Sequence, residues 1–263
     1  MGFTIANLWS AIFGIHVAVA TLCPWSVVWL LAVYVAANAA LVLASMAIAP
    51  DHGGLVLAAA CGINKQWENG TRSVAGRVAL APWRYVSRAI AADRFAGLVF
   101  GNCAPPSAWS QIPNTYICVG AMRAAQSMAH HVDLILDLTA EWEWECNNNT
   151  ATAITRCLPL LDDCMCSAWE LAAALRRALI DAAVANPSAS TTSSTPPRIY
   201  VGCMFGVGRS AAVGALLAAM LFPNNYPTVD AALAALQTVR PQVRPTDHQL
   251  QVARQAQALL FVQ

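Results

Sequence analysis

Residues 1–50 contain no Lys, Arg, Asp or Glu. Charge is scarce elsewhere too: 11% of the 263 residues are charged and 57% are hydrophobic. That balance is too apolar for an ordinary soluble domain. The formal net charge is +1, so nothing draws the chain to a polyanion, and nucleic acid is not expected as a partner. Cys-x-x-Cys pairs are missing, and no His stands at zinc-ligand spacing from a Cys. The nine cysteines are therefore read as reduced thiols in a cytosol-facing domain. Neither a disulfide framework nor a metal site nor a cofactor is expected.

The charge-free stretch holds two apolar runs, about Ile5 to Leu22 and about Ser26 to Ile48. At about 1.5 Å rise per residue, each can cross a hydrocarbon core of about 30 Å, the first only just. Cys23-Pro24-Trp25 between them suits a tight turn, with Trp25 at the membrane interface. Residues 1–50 are expected to form a transmembrane helical hairpin. A cleaved leader ending at Ala18-Val19-Ala20 competes, but it lacks a basic start and a second apolar run follows at once. A soluble buried helix pair competes as well; two long uncharged runs in succession speak against it. Residues 51–106 are expected to form a basic juxtamembrane segment. There Lys65, Arg72, Arg77, Arg84, Arg88 and Arg94 are interleaved with Trp67, Trp83 and Tyr85. That mixture suits anionic headgroups and, by the positive-inside rule, the cytoplasmic side of a multi-pass membrane protein.

Chemistry concentrates in Arg198-Ile-Tyr-Val-Gly-Cys203-Met-Phe-Gly-Val-Gly-Arg209-Ser210. A β-branched run leads in and an apolar helix, Ser210 to Phe222, leads out. A strand, a glycine-bearing loop and a helix N-terminus make an anion site, because loop amides and the helix dipole point at one place. A cysteine held there is expected to ionise to the nucleophilic thiolate. Arg209 can grip a tetrahedral oxyanion with two parallel hydrogen bonds. A nucleophile beside a phosphate clamp is the equipment of a cysteine-dependent phosphatase. The Cys-x5-Arg spacing alone is weak; Gly206, Gly208, Ser210 and the strand–helix context make it specific.

Cys203 to Ser210 resembles the signature loop of the dual-specificity branch of the protein tyrosine phosphatase superfamily. Val132-Asp-Leu-Ile-Leu-Asp-Leu-Thr-Ala-Glu141 resembles a strand and turn of bacterial-type members. Leu158-Pro-Leu-Leu-Asp162 resembles the segment carrying the general acid, and Arg240-Pro-Gln-Val-Arg-Pro245 the Arg-Pro-x-Val-x-Pro stretch behind the signature helix. The resemblance covers roughly Trp109 to the C-terminus, and membrane-tethered bacterial relatives resemble the whole more loosely.

The resemblance implies an α/β phosphatase domain at 107–263, with a central twisted mixed sheet flanked by helices. It implies Cys203 as nucleophile, Arg209 as transition-state clamp, Asp162 as general acid with Asp163 as fallback, and Ser210 easing departure of the sulfur. Met204, Phe205, Gly206, Val207 and Gly208 would line the substrate phosphate. The loop interior carries no lysine, which disfavours inositol polyphosphates and leaves a phosphoprotein or a membrane lipid phosphate as substrate. The family usually has His before the nucleophile; here stands Gly202. The loop is therefore expected to be less well supported, and Gly202→His to raise activity. Two alternatives follow: a phosphate-binding pseudophosphatase with little turnover, or a lipid phosphatase of phospholipid synthesis.

Elsewhere, Thr115 to Val119 is expected to be a strand, Ala121 to His131 a helix and Val132 to Leu138 a central strand. Trp169 to Ala185 has helical spacing, and Asn186 to Pro197 the composition of a flexible loop. Thr228 is expected to cap a helix opening at Pro227-Thr-Val-Asp230, and Asp247 to Phe261 to form the last helix. Glu141-Trp-Glu-Trp-Glu145 is expected to be an exposed loop.

Overall fold

The computed structural model describes residues 109–140, 153–160, 165–185 and 196–261, with isolated positions between 10 and 40. The hairpin and basic segment therefore lie almost wholly outside the described residues, as do 141–145, Asp162, Asp163 and most of 186–197. Among the described residues no helix is long and apolar enough to cross a membrane.

The elements alternate: β1 Trp109–Gln111, β2 Ile117–Ala121, α1 Met122–Met128, β3 Leu134–Thr139, β4 Ile154–Leu160, α2 Ala168–Ala185, β5 Ile199–Cys203, α3 Arg209–Leu221, α4 Val229–Val239 and α5 Asp247–Phe261. The strands form one sheet in the order β1-β2-β5-β3-β4. β1 runs antiparallel to β2, and all other pairs are parallel. The sheet is mixed and flanked by helices, as expected.

Strand period explains the layering. Side chains alternate across a sheet, and strands buried on both faces read as continuous apolar runs. Ile117, Val119, Leu134, Leu136, Ile199, Val201 and Cys203 join the larger core, under α2 to α5. Cys118, Ile135 and Tyr200, from the alternate positions, join a smaller core under α1. β5 is buried along its whole length and sits at the centre, so its C-terminal Cys203 emerges from the middle of the sheet.

α3 continues directly behind the loop. Eleven of its thirteen residues are buried, which its uniformly apolar sequence allows, since no polar stripe demands water. Gly214 permits close approach to the sheet: a Cβ there would stand 2.5 Å from Val119 Cγ2. Thr228 caps α4 as expected, accepting from Ala231 N at 3.1 Å. Two helix starts carry reciprocal caps. Ser167 and Glu170 exchange bonds of 3.0 and 3.3 Å before α2, and Thr246 and Gln249 bonds of 3.0 and 3.2 Å before α5.

Two strands went unrecognised in sequence. β1 is only three residues long. β4 contains Pro159, which argues against a strand in the middle of a sheet but is tolerated at an edge or a bulge. β4 is the edge, and its register shifts: Asp137 pairs with Cys157, but Thr139 pairs with Leu160. The extra residue on β4 is a bulge at Leu158–Pro159.

Candidate active site

Cys203 ends β5 and is 2% exposed. Ser210, in the first turn of α3, places its Oγ 3.1 Å from the Cys203 Sγ. The start of α3 and its dipole therefore lie beside the Cys203 thiol. Between them the chain turns through Gly206, whose φ is +71°. A side chain there would be strained, and a Cβ would also come within 2.7 Å of Ala121 N and Gly120 Cα. Gly206 is required on both counts.

Arg209 is completely buried. Its Nη1 donates to Leu138 O at 3.2 Å and Leu160 O at 2.5 Å, the ends of β3 and β4. The guanidinium plane is thus fixed by two neighbouring strands, and the β4 bulge lies immediately before the carbonyl it reaches. Asp162 follows Leu160 by two positions in the chain.

The loop is held from behind by the segment after α4. Arg240, also completely buried, donates from Nε to Gly206 O at 2.8 Å and from Nη2 to Phe205 O at 3.1 Å. The Arg244 amide donates to Val207 O at 3.0 Å. Three consecutive loop carbonyls are therefore tied away from the cradle. Gln249 backs the next residue: a Cβ on Gly208 would stand 3.0 Å from its Oε1. Burial pushes the Arg240 guanidinium below its ordinary value, while facing Cys203 and Tyr200 pulls the other way.

The other described cysteines do not compete. Burial pushes the Cys118 thiol up to about 11. Burial, then Glu170, takes Cys166 to about 12. Cys157 is buried and its Sγ donates to Asp137 Oδ2 at 3.7 Å. All are free thiols, protonated at neutral pH where their values are raised.

The structure thus gathers Cys203, Ser210 and the loop Met204 to Gly208 at one sheet end, with Arg209 anchored beside them. Asp162 and Asp163 lie outside the described residues. Sequence reasoning missed the tasks of Arg240 and Gln249. The Thr246-x-x-Gln249 spacing is a capping-box signature and was available for the second; a buried arginine reaching back over thirty residues has no local signature.

Gly202 has a neighbour the sequence does not reveal. A Cβ at this position would overlap the Met122 Sδ and stand 3.2 Å from Met122 Cγ and Tyr200 Cε1. Met122 is fully buried there. A side chain at 202 therefore requires the Met122 thioether, the outer part of a flexible side chain, to move aside.

No family model and no curated protein matches the sequence. Solved structures do resemble it. Tk-PTP in its active form is similar at 18% identity, over 57% of this chain and 97% of that one, with a TM-score of 0.44. PTPMT1 in complex with PI(5)P is similar at 15% identity, over 59% and 98%, with a TM-score of 0.45. Human DUSP28 is similar at 17% identity, over 60% and 99%, with a TM-score of 0.41. These structural neighbours are protein tyrosine and dual-specificity phosphatases.

Proposed function

We propose that this protein is a membrane-anchored, cysteine-dependent phosphatase that hydrolyses phosphate monoesters through a cysteinyl-phosphate intermediate. The observation that carries the reading is the arrangement at the end of β5. Cys203 Sγ lies 3.1 Å from Ser210 Oγ at the start of α3, on a loop whose carbonyls are bound from behind by Arg240 and Arg244.

In the first step the Cys203 thiolate attacks phosphorus, the S–P bond forms and the P–O bond breaks. Asp162 gives its proton to the departing oxygen. Arg209 and the loop amides stabilise the charge spread over the equatorial oxygens. In the second step Asp162 takes a proton from water, water oxygen bonds to phosphorus, and the S–P bond breaks. The Ser210 hydroxyl donates to the departing thiolate. Phosphate leaves, and Asp162 keeps the proton it took from water for the next turnover.

The loop interior, Met204, Phe205 and Val207, offers no side-chain cation. That favours a singly phosphorylated group, on a protein side chain or a membrane lipid. The charge-free first fifty residues support membrane anchoring, with the basic segment and catalytic domain on the cytoplasmic face.

A generic aryl phosphate, with wild type and Cys203→Ser, tests the reading. Cys203→Ser is expected to abolish turnover yet keep vanadate binding, since backbone amides and Arg209 make the cradle. Residual turnover above a few per cent of wild type would exclude Cys203 as nucleophile. Vanadate binding by a wild type that never turns over would select the pseudophosphatase. Phosphatidylglycerophosphate against phosphotyrosine peptides then separates lipid from protein substrates.

A further inference from the structure

We infer that Met122 is a positioning residue for the nucleophile loop, its thioether taking the place of the side chain that Gly202 lacks. The inference rests on the reading of Cys203 as the nucleophile. Gly202 immediately precedes Cys203, and Met122 opens α1 directly after β2, the strand paired with β5. Without a Cβ at 202 the Met122 side chain lies against bare backbone, beside the Tyr200 ring.

The β2–α1 corner meets the loop at three successive points. Gly120 pairs with Gly202, and Ala121 pairs with Cys203. Met122 covers Gly202, and the Gly120–Ala121 backbone abuts Gly206, leaving no room for a Cβ. Tyr200 closes the arrangement by donating its hydroxyl to Ala121 O at 2.7 Å. Burial raises the pKa of that hydroxyl, so it stays a neutral donor. Arg240 holds the carbonyls of Phe205 and Gly206. The loop thus has two buried supports, an arginine and a methionine. Methionine suits the task because its unbranched chain fills irregular gaps that a β-branched residue cannot enter.

Gly202 and Met122 are consequently one fitted pair. Gly202→Ala forces the thioether to move, Met122→Ala removes the side chain that lies against Gly202, and changing both relieves the overlap. Arg240 and Tyr200, the charged and titratable groups that act on Cys203, are unchanged in every variant.

The test uses full-length protein in detergent: wild type, Met122→Ala, Met122→Leu, Gly202→Ala, and Gly202→Ala with Met122→Ala. Two quantities are read. One is kcat/KM for an aryl phosphate. The other is the rate of iodoacetamide alkylation at Cys203 against pH, followed by peptide mapping with Cys203→Ser as the blank. Met122→Ala and Gly202→Ala are each expected to lower kcat/KM on the order of ten- to a hundredfold through misplacement of the loop, and to move the alkylation midpoint to higher pH. Met122→Leu, close in volume, is expected to stay within about threefold of wild type. The double variant is expected to recover at least about tenfold over Gly202→Ala. An alkylation profile unchanged in folded Met122→Ala, or no recovery in the double variant, overturns the inference; if Met122→Ala does not fold, the comparison of Gly202→Ala with the double variant decides. A shifted profile in variants of a protein that hydrolyses nothing keeps the inference and removes the phosphatase reading.

Discussion

Arg209 has two tasks for one guanidinium: it joins the strand ends, and in the proposed reaction it grips the phosphoryl group. Nη1 is committed to the carbonyls of Leu138 and Leu160. A lysine can supply the charge but neither the fixed plane nor the two-pronged contact. Arg209→Lys is therefore expected to cost on the order of 3–4 kcal/mol of transition-state stabilisation, read as kcat/KM on an aryl phosphate. Activity within tenfold of wild type counts against the assignment. Asp162 is tested by its leaving group. Asp162→Asn should slow poor leaving groups most and an activated aryl phosphate little, because a good leaving group needs no proton. Equal slowing of all substrates, or an effect of Asp163→Asn in its place, moves the acid.

The segment Arg240 to Pro245 shows how an element without regular structure governs the site. Its buried guanidinium satisfies two loop carbonyls, and the Arg244 amide a third. Arg240→Met strands the first two. Each buried acceptor left unpaired costs about 1–3 kcal/mol. The thermal midpoint is expected to fall and vanadate affinity to weaken in parallel; an unchanged vanadate affinity in folded protein refutes the coupling between segment and loop. The sequence carried the local signals well. α2, α3 and α5 ran within a residue of their expected bounds, because apolar period and caps are local properties. α1 stopped at Met128, short of His131, and β4 was missed because its proline is excused only by an edge position that no local pattern reveals. The loop from Cys203 to Ser210 was readable for the same local reason. Its supports were not: Met122 and Arg240 come from strand pairing and long-range packing, and the first lies eighty residues upstream of Gly202.

At the scale of the whole molecule, the proposed membrane hairpin makes a prediction of its own. Truncation before about Asp51 is expected to release only part of the protein from membranes, because the basic and aromatic residues from Lys65 to Arg94 still favour anionic surfaces. Flotation with anionic vesicles and with neutral vesicles measures this. Recovery of the full-length chain in the soluble fraction without detergent sinks the hairpin reading.

Pro159 has a bearing on how such molecules behave when crowded. An edge strand offers unpaired backbone groups to any neighbour. On β4 the ladder is broken by a bulge and by a residue with no N–H to donate. The same kink that carries Leu160 to Arg209 thus makes that rim of the sheet a poor template for a second copy.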